Sequence, residues 1–384
     1  MYAAALIGGV AALIILLPEG AHGIAIPAPA PHGKSFTVAH ARSSFVDSSR
    51  KDPYNDSEDR KLAYSLFLPV NKNECTKQCS NAYMPDLTAK KTNAQFFGDE
   101  NAKIFEQFTF DSCCASSNDI NAGAFPVVVF EPAVGTSRLL YNQLARQVSA
   151  VGTTVVLIDH PYDASIVEFD GLTAINGTVD LDAFEVSKNW DDTLNKALDT
   201  RKADIESVIK ELGTTNYLSR LFPDLKFSSA LNTNTFDVMG HGLGGSAATV
   251  LSTHGSRVGL SINLSGSIPV IQQNSNNYLV FFGREAYTRE DDANWRDSIQ
   301  HFQGRFVEWD FTGAGQMDYT DLPRLVDLVN SPNSSPKGLG ANGVWAFHCT
   351  SCFLEGYIRD VKQGGRREVS DCYVMCPNME PYAS

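Results

Sequence analysis

The feature that most restricts the fold is a recurring alternation of short, β-branched apolar runs with helix-patterned text. "FPVVVFEPA" (125–133), "TTVVLIDH" (153–160), "TFDVMGH" (235–241), "GLSINLSG" (259–266), "NYLVFFG" (277–283) and "GRFVEWDFTGAG" (304–315) read as strands. The Val- and Ile-rich runs suit strands buried on both faces. Between the first two runs, "SRLLYNQLARQVSAVG" has helical spacing and stops at Gly152. "GSAATVLSTHG" reads as a helix after the third run, closed by Gly255. A longer helix is predicted from about Trp190 to Leu212, where Leu194, Ala197, Leu198, Ile205, Val208, Ile209 and Leu212 share one stripe with Trp190. This order predicts an α/β fold: a mostly parallel central sheet with helices on both faces.

At 384 residues the chain could form one large α/β domain or two ordinary ones. No internal repeat or later low-complexity linker divides it, so one domain over 36–384 is the simplest reading. With 43% hydrophobic and 20% charged residues it has the makings of a substantial core. The formal net charge of −13 argues against nucleic acid as a partner, because phosphate recognition needs a basic patch. The densest basic run, "GGRREV", is too short to alter that.

The first 23 residues read as a signal peptide. "ALIGGVAALIILL" is too short to span a bilayer comfortably, and Pro18 and a small-x-small "AHG" follow it. The opening "MYA" carries no Lys or Arg, so an uncleaved anchor is the alternative. Residues 24–35 begin with the Pro-rich "IAIPAPAPHG" and are expected to be an extended tail. A secreted protein with no stable membrane span after cleavage is the expectation.

Eight cysteines fall into four local pairs: Cys75/Cys79, Cys113/Cys114, Cys349/Cys352 and Cys372/Cys376. In an exported chain an even count suggests disulfides. Near-adjacent cysteines bridge each other poorly, so the first two pairs are expected to cross-link, and likewise the last two. Zinc held by Cys349, Cys352, Cys372 and Cys376 is the rival reading. No metal and no cofactor is expected. Glycosylation sequons occur at Asn55, Asn176, Asn263 and Asn333. The polar text around Asn55, Asn176 and Asn333 suits glycans, whereas Asn263 sits in an apolar strand and should be buried.

The stretch "TFDVMGHGLGGSAATV" has the strand–turn–helix layout of a nucleophile elbow, G-x-S-x-G, but Gly242 stands where Ser is needed. The backbone at that position is normally strained for a residue with a Cβ, at a cost of about 1–3 kcal/mol, and glycine relieves it. Gly242 would therefore keep the turn and remove the chemistry. A plain Gly-rich packing turn is the simpler alternative, and a phosphate loop is disfavoured because no G-K-[ST] follows.

Over a longer span, "PVVVFEPAVGTSRLLYNQLARQVSAVGTTVVLIDHPYDASIVEFDG", "RKLAYSLFLPV" (60–70), "AYMPDLTAK" and "GREAYTREDDANW" resemble fungal α/β-hydrolases related to platelet-activating-factor acetylhydrolases. The likeness covers most of residues 60–360 and implies an α/β-hydrolase fold. Carried over residue by residue, it puts Gly242 at the nucleophile, Ser265 at the acid and Gln316 at the base. No His lies between His301 and His348 that a small slip of alignment could supply. A serine nucleophile needs a base and the base an acid, so all three substitutions together exclude the ordinary acyl-enzyme route.

The resemblance also implies surviving oxyanion amides at Val134 and Leu243. Glu131, His160 and His241 are further pocket candidates, with purely structural roles as the alternative for the two histidines. Asp318 lies beside the place of the missing base. Ser246, Ser265 and Ser267 are weak candidates for a displaced nucleophile. Three functions follow: non-hydrolytic binding of a lipid-like or other small molecule; an acid–base cyclisation or isomerisation using Glu131, His160 or His241; and ester hydrolysis by an unrecognised nucleophile.

Overall fold

The computed structural model describes residues 23–30, 36–169, 171, 173–178, 190, 192–214, 216–254, 257–329, 336–363 and 367–382. Most of the predicted signal segment (residues 1–22), residues 31–35, Gly255 and the Asn333 sequon lie outside them.

Nine strands form the central sheet. They are β1 (Phe36–Asp52), β2 (Asn55–Asn71), β3 (Val127–Glu131), β4 (Thr154–Asp159), β5 (Phe236–His241), β6 (Val258–Leu264), β7 (Tyr278–Arg284), β8 (Phe306–Phe311) and β9 (Met379–Pro381). Their order across the sheet is β9-β8-β7-β6-β5-β3-β4-β2-β1. The six strands from β8 to β4 run parallel, while β2, β1 and β9 are antiparallel to their neighbours. This is the mostly parallel α/β sheet predicted from the strand–helix alternation, in the α/β-hydrolase arrangement that the sequence resemblance implied.

Burial on both faces explains the apolar runs. In β3, Val128 and Phe130 enter one core while Val127 and Val129 enter the other. On the first side lie α1 (Asn142–Ala150), through Leu144 and Val148, and α4 (Val344–Gln363), through Phe353 and Tyr357. On the second lie α2 (Asp192–Leu212), through Ile205, Val208 and Ile209, and Ala248 of α3 (Leu243–His254). The apolar stripe predicted for α2 faces the sheet, with Leu194, Ala197, Leu198, Ile205, Val208, Ile209 and Leu212 all buried. The helix predicted after β3 begins as a single 3-10 turn, Arg138–Tyr141, because the Arg138 amide and guanidinium are both held by Asp159 at the end of β4.

The cysteines cross-link as the spacing predicted. Cys75 pairs with Cys113 and Cys79 with Cys114, tying strand Cys75–Ala82 to strand Phe108–Ser116. Cys349 pairs with Cys376 and Cys352 with Cys372, tying α4 to α5 (Arg367–Met375) and the turn after it. The four C-terminal thiols proposed as zinc ligands are therefore taken up in bridges. Ile24–Ala25, at the start of the Pro-rich stretch, pairs with Phe108–Thr109, and Ile26 is buried. Among the described residues no helix is long and apolar enough to cross a membrane.

Candidate functional site

Four adjacent parallel strands, β3, β5, β6 and β7, end at one edge of the sheet, the edge where open α/β sheets place their ligands. A cavity of about 50 Å³ opens there. It is lined by Ala133 and Val134 beyond β3, Gly242, Leu243 and Ser246 beyond β5, Ser265 and Ser267 beyond β6, and Arg284 and Tyr287 at and beyond β7. Gln316, from the turn after β8, Trp190, shortly before α2, and Leu194, in its first turn, complete it. The three positions that the sequence resemblance singled out, Gly242, Ser265 and Gln316, thus share one cavity.

Gly242 has φ +55°, and its amide donates to the Leu264 carbonyl at 2.9 Å. The left-handed backbone reverses the chain between β5 and α3. The glycines around it are fixed by crowding: a Cβ on Gly240 would collide with the Gly244 backbone, on Gly244 with the Glu131 carbonyl, and on Gly245 with the Asn263 side chain. At Gly242 the nearest atom to such a Cβ would be the Ala133 Cβ, at 3.3 Å. Space does not demand glycine there; only the backbone conformation favours it.

Ser265 also has a left-handed backbone, φ +55°, held by its amide bond to the Phe282 carbonyl at 2.8 Å. It is 9% exposed, and its hydroxyl has no hydrogen-bond partner among the described residues. Asn263, two residues earlier, is 1% exposed and accepts from the Gly266 amide at 2.7 Å while donating to Thr249 and the Gly266 carbonyl. That sequon is buried, as its apolar setting predicted.

Gln316 accepts from Arg284 Nη2 at 3.1 Å through Oε1. Trp190 Nε1 donates to Ser267 Oγ at 3.2 Å. Ser246 donates to the carbonyls of Gly242 and Ser267, which is the behaviour of a helix-packing serine. Val134 and Leu243 line the wall, and neither amide has a backbone acceptor among the described residues. Leu243 is the first residue of α3, so its amide belongs to the positive end of a 12-residue helix.

Three predicted pocket residues lie elsewhere. Glu131 and His160 do not line the cavity; they are 0% and 1% exposed and belong to a buried ion network. His160 Nε2 meets Glu131 Oε2 at 2.6 Å and its Nδ1 meets Asp204 Oδ2 at 2.9 Å. Asp204 also accepts from Arg60 at 2.6 Å, Arg60 donates to Asp52 at 2.8 Å, and Arg201 binds Asp163 through two bonds of 2.7 and 2.8 Å. Burial opposes the His160 charge, but the Glu131 carboxylate and the two hydrogen bonds outweigh it and raise the imidazole to about 9. The same pairing holds Asp204 well below the usual carboxylate range despite its burial. The network fastens α2 to β3, to the loop after β4 and to β2.

His241 is likewise absent from the cavity wall. It is 0% exposed and its Nδ1 shares a hydrogen bond of 2.9 Å with the Tyr141 hydroxyl, which accepts from the Ala133 amide at 3.0 Å. Burial first, and the Arg284 charge second, push the imidazole down to about 3, so it is neutral. Its role is to brace the loop that presents Val134. Asp318 is buried and accepts from the amides of Gly315 and Gly340; burial raises it to about 6. It caps a turn and does not line the cavity. Among the described residues, no imidazole and no carboxylate reaches the cavity wall.

The residue missed by sequence reading is Arg284. It lies in "GREAYTREDDANW", quoted only for its likeness, and its meaning depends on the cavity that four distant segments build. Among the described residues no group of His, Cys, Asp and Glu is arranged to hold a metal ion.

No family model matches the chain. It is 28% identical over 240 residues to the probable 1-alkyl-2-acetylglycerophosphocholine esterase of Arthroderma benhamiae, a match that covers 56% of this chain and 62% of that protein. The chain therefore spans less than two thirds of the curated relative it matches. A solved structure, the ferulic acid esterase from Streptomyces cinnamoneus, superposes with a TM-score of 0.71 at 20% identity, over 94% of this chain and all of that one. The chain is similar to an esterase of the platelet-activating-factor type in sequence and shares an α/β-hydrolase fold with a structurally known esterase.

Proposed function

We propose that this is an exported α/β-hydrolase-fold protein that binds a small molecule in the cavity beyond β3, β5, β6 and β7 without hydrolysing it. One observation carries the reading. Gly242, Ser265 and Gln316 meet in the cavity where a nucleophile, an acid and a base would have to converge, and no imidazole or carboxylate lines it among the described residues. A hydroxyl attacking an ester needs a base within hydrogen-bond reach. Ser246 and Ser265 have none there. At about 50 Å³ the cavity takes a head group of few atoms, so a lipid-like ligand would keep its chain outside.

The four disulfides support passage through an oxidising compartment and hence the signal-peptide reading of residues 1–23. Asn176 is exposed and Asn55 half-buried, which leaves both open to glycans; the Asn333 site is carried as a proposal on its sequence alone. An endoglycosidase that lowers the mass of the secreted protein would support these assignments, and an unchanged mass would remove them.

A second reading, ester hydrolysis by an unrecognised nucleophile, is favoured by the name of the Arthroderma relative and by the two wall amides that have no backbone acceptor. Treatment with a fluorophosphonate followed by peptide mass spectrometry separates the two. An unlabelled protein supports binding without turnover; a labelled serine supports hydrolysis. Acid–base chemistry by Glu131, His160 or His241 has no geometric support, because all three are buried away from the cavity.

A further inference from the structure

A second cleft, separate from the Gly242 cavity, opens beyond the end of β8. Phe311 ends that strand, and the segment before α4 returns to the turn after it, the Ala341 amide donating to the Gly313 carbonyl at 2.8 Å. On the other side the Thr312 amide donates to the Asn378 carbonyl at 2.9 Å, just before β9. Between these segments, the start of α4 and the end of α5 lies a volume of about 440 Å³. That is the size of a small-molecule site.

The walls are apolar. Phe311 and the Cys349–Cys376 bridge are buried, while Trp345 and Met375, which line the cleft with them, are 62% and 45% exposed. Among the described residues the Trp345 ring meets one other, a T-shaped contact with His348 at 5.8 Å, so most of the indole stays open. An open indole offers a wide, rigid apolar surface that loses little rotamer freedom on binding, and a thioether moulds itself to whatever lies against it. No charged side chain lines the cleft among the described residues, which favours an uncharged ligand.

Two amides give the cleft its polarity. Asn342 Nδ2 donates to the Thr312 carbonyl at 3.0 Å, and Asn378 Nδ2 donates to Asn342 Oδ1 at 2.7 Å. The Thr312 carbonyl only accepts, so it fixes which way both amides face. The chain of bonds ends on Asn378 Oδ1, an acceptor with no donor among the described residues, on a residue that lines the cleft. A ligand that completes this chain brings a hydroxyl that donates. A sugar would bring many hydroxyls to walls that offer two amides and would bury several of them unpaired. A flat apolar ring with a single hydroxyl meets both the walls and the acceptor.

We propose that this cleft binds a small uncharged phenol, its ring against Trp345 and Met375 and its hydroxyl donating to Asn378 Oδ1. The site stands apart from the Gly242 cavity, and it does not depend on whether that cavity hydrolyses its ligand.

The test is a ligand-observed NMR titration of the full protein near pH 7, where a phenol is uncharged. The probes are 4-ethylphenol, 4-ethylanisole, which has the same ring with its hydroxyl methylated, and D-glucose. 4-Ethylphenol is expected to bind saturably, about fivefold more tightly than 4-ethylanisole, the worth of one neutral hydrogen bond. Trp345→Ala should weaken both aromatic probes about tenfold, as loss of a tryptophan anchor does, and Trp345→Phe, which keeps a ring, should weaken them less. Asn378→Ala should bring 4-ethylphenol down to the affinity of 4-ethylanisole and leave 4-ethylanisole unchanged. Both residues are exposed, so thermal unfolding of the variants should match the wild type. Equal wild-type affinity for the two aromatic probes would overturn the proposal. So would tighter binding of D-glucose, unchanged 4-ethylphenol binding in Trp345→Ala or Asn378→Ala, or no saturable binding of 4-ethylphenol.

Discussion

A Cβ on Gly242 would stand 3.3 Å from the Cβ of Ala133, a contact that a shift of a few tenths of an ångström relieves. The neighbouring Gly244 has no such latitude, because a Cβ there would strike the Glu131 carbonyl of the adjacent strand. Gly242→Ser should therefore fold, losing about 1–2 kcal/mol to its left-handed backbone. Gly244→Ala should lose more than about 3 kcal/mol or fail to fold, since backbone cannot move aside. Denaturant unfolding of the two variants measures the difference; equal losses would mean that the elbow is not packed as described.

The buried network makes a prediction about α2. Asp204 is shared by His160, Arg60 and Arg50, and all but Arg50 are fully buried. Asp204→Asn would take from the buried Arg60 and His160 one of the two carboxylates each is paired with, a loss of about 3 kcal/mol. A loss below about 1 kcal/mol in thermal or denaturant unfolding would contradict the network's structural role.

The two histidines respond to pH in opposite directions. His160 is raised to about 9, so its pairing stabilises the fold fully below its unfolded value near 6.5 and the contribution is lost as pH rises through 9. His241 is lowered to about 3, so its contribution is complete above about 6.5 and is lost as pH falls toward 3. The stability gap between wild type and His160→Gln should narrow from pH 6.5 to 9. His241→Phe should instead flatten the acid side, from pH 6.5 down to 3. Parallel pH–stability curves for wild type and both variants would refute these assignments.

Each disulfide couple closes nearly the same loop twice. Cys75–Cys113 spans 38 residues and Cys79–Cys114 spans 35. Removing one bridge leaves the long loop closed, so Cys79→Ser/Cys114→Ser should cost much less than removal of both, for which about 3–4 kcal/mol is expected. Additive losses, measured by denaturant unfolding, would show that the bridges act by something other than loop closure.

The sheet was legible because parallel strands buried on both faces leave no polar alternation, and β3 through β8 each read as an apolar run. The edge strand β1 was not legible, since it carries charges such as Arg42, Asp47 and Arg50, whereas most of β2 falls in "RKLAYSLFLPV", which the resemblance marked as an early strand. The cavity positions at Gly242, Ser265 and Gln316 were found through motif and resemblance, as were Val134 and Leu243. Glu131 and His160 were misplaced for a physical reason. Their ends-of-strand positions point to the ligand edge, but their partners Asp204 and Arg201 lie on α2, and no spacing in the sequence records that approach. Arg284 went unread for the converse reason, since a lone arginine acquires meaning only from the walls around it.

The central claim is that the cavity has lost hydrolysis and kept binding. The most direct measurement is the rate of nitrophenyl acetate hydrolysis by the purified protein, compared with a Ser246→Ala/Ser265→Ala variant and with buffer. The account predicts a wild-type rate equal to that of the variant and no more than background. A wild-type rate well above both would contradict it and place a working nucleophile at one of those two serines.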